Sequence, residues 1–83
     1  MTIQILGTGC PKCKLLKKNA HEAVSELGID ATVTDVTDME TMMEMGMLVS
    51  PGFAIDDELI QMGKVLQTEQ VKELISARRG KSN

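Results

Sequence analysis

Aromatic residues are almost absent from this chain: Phe53 stands alone among 83 residues, with no Trp and no Tyr. A core must therefore be assembled from Ile, Leu, Val, Ala and Met, and the stacking platforms that grip single-stranded nucleic acid are missing. There is no basic excess either. The formal net charge is −3, which removes the electrostatic footprint of a nucleic-acid binder. No apolar run approaches the roughly 18 residues that read as a membrane span. The first residues, Met1-Thr2-Ile3-Gln4-Ile5-Leu6, carry no basic leader, so the expected location is the cytoplasm. Histidine is reduced to His21 and cysteine to Cys10 and Cys13. That scarcity excludes a disulfide scaffold and leaves few ligands for a metal.

Hydrophobic period and punctuation divide the chain into seven elements. Ile3, Ile5 and Leu6 form a short strand that stops at Gly7. Pro11 suits the first position of a helix whose N-cap would be Cys10. Leu16, Ala20, Ala23, Val24 and Leu27 recur at helical spacing, and Gly28 is placed to stop the helix. The alternating β-branched run 31–36 reads as a second strand. Asp38 fits the N-cap of a short helix bearing Met39, Met42 and Met43 and ending at Gly46. Residues 53–55 and 59–62 form a hairpin around Asp56-Asp57-Glu58. A last helix opens at Thr68 with Val71, Leu74 and Ile75 on one face, and residues 78–83 are expected to be a polar tail. The order β-α-β-α-β-β-α requires a right-handed first crossover, a parallel strand pair and helices on both sheet faces. One domain, residues 1–83, is expected.

The chemistry concentrates in Gly7-Thr8-Gly9-Cys10-Pro11-Lys12-Cys13-Lys14. At the N-cap, Cys10 would meet unpaired backbone N–H groups and the positive end of the helix dipole, both of which favour a thiolate. Lys12 and Lys14 act in the same direction, and such surroundings lower a cysteine pKa from about 8.5 towards 7 or below. Cys13 lies one turn on, and at about 100° per residue it falls on the side of Leu16, Ala20 and Val24. This assigns Cys10 as the exposed attacking thiol and Cys13 as the shielded resolving thiol. Pro11 holds the turn, so Pro11 and Lys12 tune the redox potential more than the fold. Gly7 and Gly9, with no aromatic beside them, are expected to leave the attacking sulfur open.

Other uses of the pair compete with this one. Structural zinc needs four ligands, and His21 lies about 80° around the helix from Cys13 and roughly 12 Å along it. A purely structural disulfide would close too small a loop to constrain much of the unfolded chain. The serious alternative is soft-metal binding, Cu(I) or Zn, or a metal-chaperone role. It draws on the CxxC and on Met39, Met42, Met43, Met45 and Met47. Methionine as adaptable core filler accounts for that run more simply. Lys14, Lys17 and Lys18 read as a solvated helix face, with steering of an acidic partner as the functional alternative.

The segments "IQILGTGCPKCKLLKKNAHEAVSELGI" and "VSPGFAIDDELIQMGKV" resemble the small, glutaredoxin-sized redox-active disulfide proteins of the thioredoxin-like family, known from archaea and some bacteria. The resemblance runs from Thr2 to about Ala77. It implies a thioredoxin-like α/β fold with a four-stranded mixed sheet, and a thiol–disulfide oxidoreductase that reduces protein disulfides with no cofactor beyond the Cys10–Cys13 pair. Pro51 matches the family's proline before the third strand, which is typically cis and faces the CxxC. That match implies substrate contacts from Val49, Ser50 and Pro51. The residues alone also allow a trans proline opening an edge strand. The chain departs from ordinary thioredoxins in having Gly9 before the first cysteine and Pro11-Lys12 between the two, and no acid on the first strand to accept a proton from Cys13. Gly63, Thr68 and Glu69 echo a glutathione-gripping segment only loosely. The implied electron donor is therefore a flavoprotein reductase rather than glutathione.

Overall fold

The computed structural model describes residues 1–7, 9, 11–47 and 49–80. The elements are β1 (Thr2–Leu6), α1 (Pro11–Leu27), β2 (Thr32–Val36), α2 (Met39–Glu44), β3 (Gly52–Ile55), β4 (Glu58–Met62) and α3 (Thr68–Gly80). The sheet order is β2-β1-β3-β4. β1 runs parallel to β2, and β3 is antiparallel to both β1 and β4. This is the mixed four-stranded sheet expected from the element order.

Side-chain alternation divides the sheet between two cores. Ile3, Ile5, Phe53 and Ile55 face α1 and α3, where Leu16, Ala20, Ala23, Val71 and Ile75 close over them. Phe53 is completely buried, and a side chain of that size contributes about 1.5–3 kcal/mol by leaving water. The opposite face is covered at one end only. There Met42 of α2 meets Leu6 and Ala54, with Met45, Met47 and Val36 at the margin. The methionine run thus splits: Met42 is core, while Met39 and Met43 are exposed.

Local signals set the element ends. Gly28 takes φ 64°, the left-handed stop of α1. Asp38 caps α2, accepting from the Thr41 backbone N–H and, at 2.6 Å, from its hydroxyl. These bonds hold the Asp38 carboxyl below its ordinary value. Asp56 and Asp57 occupy a two-residue hairpin turn with φ of 50° and 69°. The turn is tied to β1, because the Thr2 N–H donates to Asp56 Oδ1 and Gln4 exchanges two 2.8 Å hydrogen bonds with Asp57. β4 carries a bulge that leaves Ile60 without a partner on β3.

One expectation is corrected. The tail does not begin at residue 78, since α3 continues through Gly80. Arg78 is held by an ion pair to Glu58 at the start of β4, and a cation in a last helical turn also suits the helix dipole. Residues 81–83 of the expected tail lie outside the described residues.

Candidate functional site

β1 ends at Leu6 and α1 begins at Pro11, so the intervening loop leaves the sheet at the C-terminal end of its parallel pair. Open α/β sheets place their sites at such ends. Cys10 and the cap expected of it lie outside the described residues. Cys13 is in the first turn of α1 and only 5% exposed, on the same helix side as Leu16 and Ala20, as its spacing predicts.

The seat of the Cys13 sulfur is Gly7. A Cβ at Gly7 would collide with Cys13 Sγ, so only glycine leaves room. Gly7 is itself buried, and its N–H donates 3.0 Å to the Val36 carbonyl, which prolongs the β1–β2 ladder by one step. The expectation that Gly7 leaves the attacking sulfur open falls on Cys10, which lies outside the described residues, and the role that Gly7 shows is a different one. Its geometry serves the other cysteine, because an absent side chain shows in the sequence and what fills the space does not. Gly9, at φ 88° and with open space for 4 Å around the place a Cβ would take, is the open glycine of the loop.

A cavity of about 230 Å³ opens beside this sulfur, lined by Cys13, Lys14, Lys17, Asp35 and Thr37 among others. Across it Lys17 Nζ donates 2.7 Å to Asp35 Oδ2. With side chains 38% and 47% exposed, this pair is well screened and adds little to stability. What distinguishes it is that it places one charge of each sign in the cavity of a buried thiol. An acid does line this cavity, from β2 rather than β1, and sequence reasoning missed it. The signal was available: Asp35 stands opposite Ile5 in the parallel register, two residues after the inward-facing Val33, and so points towards α1. Lys17, expected on a solvated face, is half of this pair.

The proline loop reaches the same end of the sheet. Leu6 pairs with Gly52, so the antiparallel register puts Pro51 beside Gly7. The Ser50–Pro51 bond is cis, which resolves the alternative left open by the residues. Pro51 is buried, and its carbonyl accepts 2.8 Å from the Gly63 N–H. Val49 is 54% exposed, and its Cγ1 would lie 3.1 Å from a Cβ on Gly63, so β4's end props the loop from behind. Ser50 is exposed as well. Of the residues expected to tune the pair, Lys14 lines the cavity, while Pro11 and Lys12 are exposed on the first turn of α1.

A buried cysteine one turn into a helix, a cis proline beside its glycine seat and a β-α-β start are the arrangement that the resemblance to the thioredoxin-like family implies. Comparison with known proteins agrees. The model of the thioredoxin domain family matches residues 1–76. The chain belongs to the thioredoxin domain family. It is 49% identical over 76 residues to a thioredoxin of Methanothermobacter thermautotrophicus, covering 92% of this chain and 99% of that one. It is also 45% identical over 73 residues to a thioredoxin of Methanocaldococcus jannaschii, covering 88% of this chain and 84% of the relative. As a member of the thioredoxin domain family the chain is a thiol–disulfide oxidoreductase, acting on protein disulfides and recharged by a reductase. Among the described residues, no group of three or more His, Cys, Asp or Glu could hold a metal, and no helix is long and apolar enough to cross a membrane.

Proposed function

We propose that the chain reduces disulfides of cytoplasmic proteins through its CPKC dithiol, Cys10 attacking and Cys13 resolving. The observation that carries this reading is the buried Cys13 sulfur, seated on Gly7 beside a charged cavity and next to the cis Pro51. The Cys10 thiolate displaces one sulfur of a substrate disulfide, forming a mixed disulfide and releasing a substrate thiolate. The Cys13 thiolate then attacks Cys10 Sγ, which forms Cys10–Cys13 and releases the second substrate thiolate. Two electrons pass to the substrate, the cysteine protons are taken up by the released thiolates, and a reductase returns the pair to the dithiol. No further cofactor is needed. The helix N-terminus, Pro11, Lys12 and Lys14 favour the Cys10 thiolate. The exposed Val49–Ser50 segment receives an extended substrate strand beside Pro51.

Exchange should therefore proceed with purified chain, an inter-chain disulfide of a small protein and a flavoprotein disulfide reductase with its nicotinamide. The same mixture with reduced glutathione as donor should run at least about tenfold slower. Efficient turnover on glutathione would overturn the donor assignment, and failure with both donors and with dithiothreitol would overturn the function.

The Lys17–Asp35 pair sets the charge balance around the resolving thiol. Lys17→Gln leaves the carboxylate alone in the cavity, disfavours the Cys13 thiolate and moves resolution to higher pH. Asp35→Asn leaves the ammonium alone and moves it to lower pH, each by up to about one unit. The readout is the pH profile of mixed-disulfide release. Shifts in the same direction, or none, would contradict the assignment.

A further inference from the structure

Charge on α1 is segregated along the helix. Lys12, Lys14, Lys17 and Lys18 occupy its N-terminal half, and no acid stands in its first turn. This is the end where the helix dipole disfavours cations, so helix stability does not explain the placement. The acids of α1, Glu22 and Glu26, stand in its C-terminal half and are engaged with α3. Thr68 Oγ1 donates to Glu22, and Lys72 Nζ lies 2.9 Å from Glu26. Lys14, Lys18 and His21, at i, i+4 and i+7, form one exposed stripe opposite the buried face of α1, with Glu22 one turn beyond Lys18 at its margin. Lys17 borders it and is spent on Asp35, whereas Lys14 and Lys18 have no carboxylate partner among the described residues. Thiolate stabilisation at Cys10 does not account for Lys18, which is two turns further along. The stripe starts at the cavity of Cys13, and outside the four lysines of α1 the chain sets five basic residues against twelve acidic ones.

We infer that this stripe is the docking surface for an acidic protein partner, one whose exchanging disulfide is flanked by Asp and Glu. The inference rests on the disulfide-exchange reading and specifies the class of protein exchanged with. In an otherwise acidic chain it supplies a local attractive field beside the reactive cysteines and repulsion elsewhere, which orients an acidic partner as it approaches.

The test uses two synthetic peptides that share one disulfide loop, flanked by glutamates in one and lysines in the other, with uncharged 2-hydroxyethyl disulfide as reference. At low salt the acidic peptide should be reduced about tenfold faster than the basic one, an advantage that fades towards about 0.5 M salt. Lys18→Glu should abolish the advantage while leaving the uncharged reference unchanged. Lys64→Glu makes the same charge change beside the β4–α3 groove, at the opposite edge of the sheet, and should preserve the advantage. Equal rates for the two peptides at low salt, or equal effects of the two substitutions, would overturn the inference. So would an oligonucleotide that bound the stripe more tightly than the acidic peptide. Loss of the uncharged reaction in the wild type would overturn the underlying redox reading instead, so the two failures are distinguishable.

Discussion

Cys13→Ser is expected to leave the first attack intact and stop the cycle at a mixed disulfide on Cys10. Multiple turnover should fall by at least about a hundredfold, because release then depends on an external thiol. The expectation follows from placement. Cys13 is nearly buried in the first turn of α1 and sits against the backbone of Gly7, so a protein disulfide cannot readily reach it, whereas the preceding loop opens to solvent at Gly9. The adduct is read by intact-mass spectrometry, as an increase equal to one substrate chain that reductant removes. Cys10→Ser should form no adduct at all. Normal multiple turnover by both variants would sink the two-thiol cycle.

Gly7→Ala should have the largest effect of any change outside the cysteines. The added methyl occupies the place of Cys13 Sγ, and neither side can easily yield. The Gly7 N–H is bonded to Val36, which fixes the strand, while fully buried Leu16, Ala20 and Ala23 fix α1 against the sheet. Overpacking of this kind costs about 1–3 kcal/mol. A displacement of the resolving sulfur approaching 1 Å can slow resolution by up to about a hundredfold. Gly9→Ala is the control. Its φ of 88° makes alanine unfavourable, but nothing lies within 4 Å of the new methyl, so stability should fall while resolution survives. Denaturant titration and the rate of mixed-disulfide release separate the two. Wild-type release in Gly7→Ala would contradict the proposed seat.

Much of this is legible in the sequence because local and tertiary signals coincide. Pro11 and Gly28 mark the two ends of α1, and the apolar spacing from Leu16 to Leu27 shows which side is buried, Cys13 included. Asp38 reads as a cap because its carboxylate has a backbone donor three residues on. What the sequence hides depends on distant partners. The use of Gly7 emerges only once α1 folds back over β1, and Asp35 becomes part of the site only when the parallel register sets it opposite Ile5. The full reach of α3 escapes a sequence reading because Arg78-Arg79-Gly80 carries no apolar side chain to continue the helical pattern, and its tie to Glu58 crosses 20 residues of sequence.

The central claim is an unequal pair: an exposed, activated Cys10 and a shielded Cys13. Its most direct measurement is the rate of iodoacetamide labelling of each cysteine in the reduced chain, resolved by peptide mass spectrometry between about pH 5 and 10. The account predicts that Cys10 labels first at every pH, with a midpoint near or below about 7, and that Cys13 labels slowly until well above it. Labelling of Cys13 ahead of Cys10, with the lower midpoint, would contradict it.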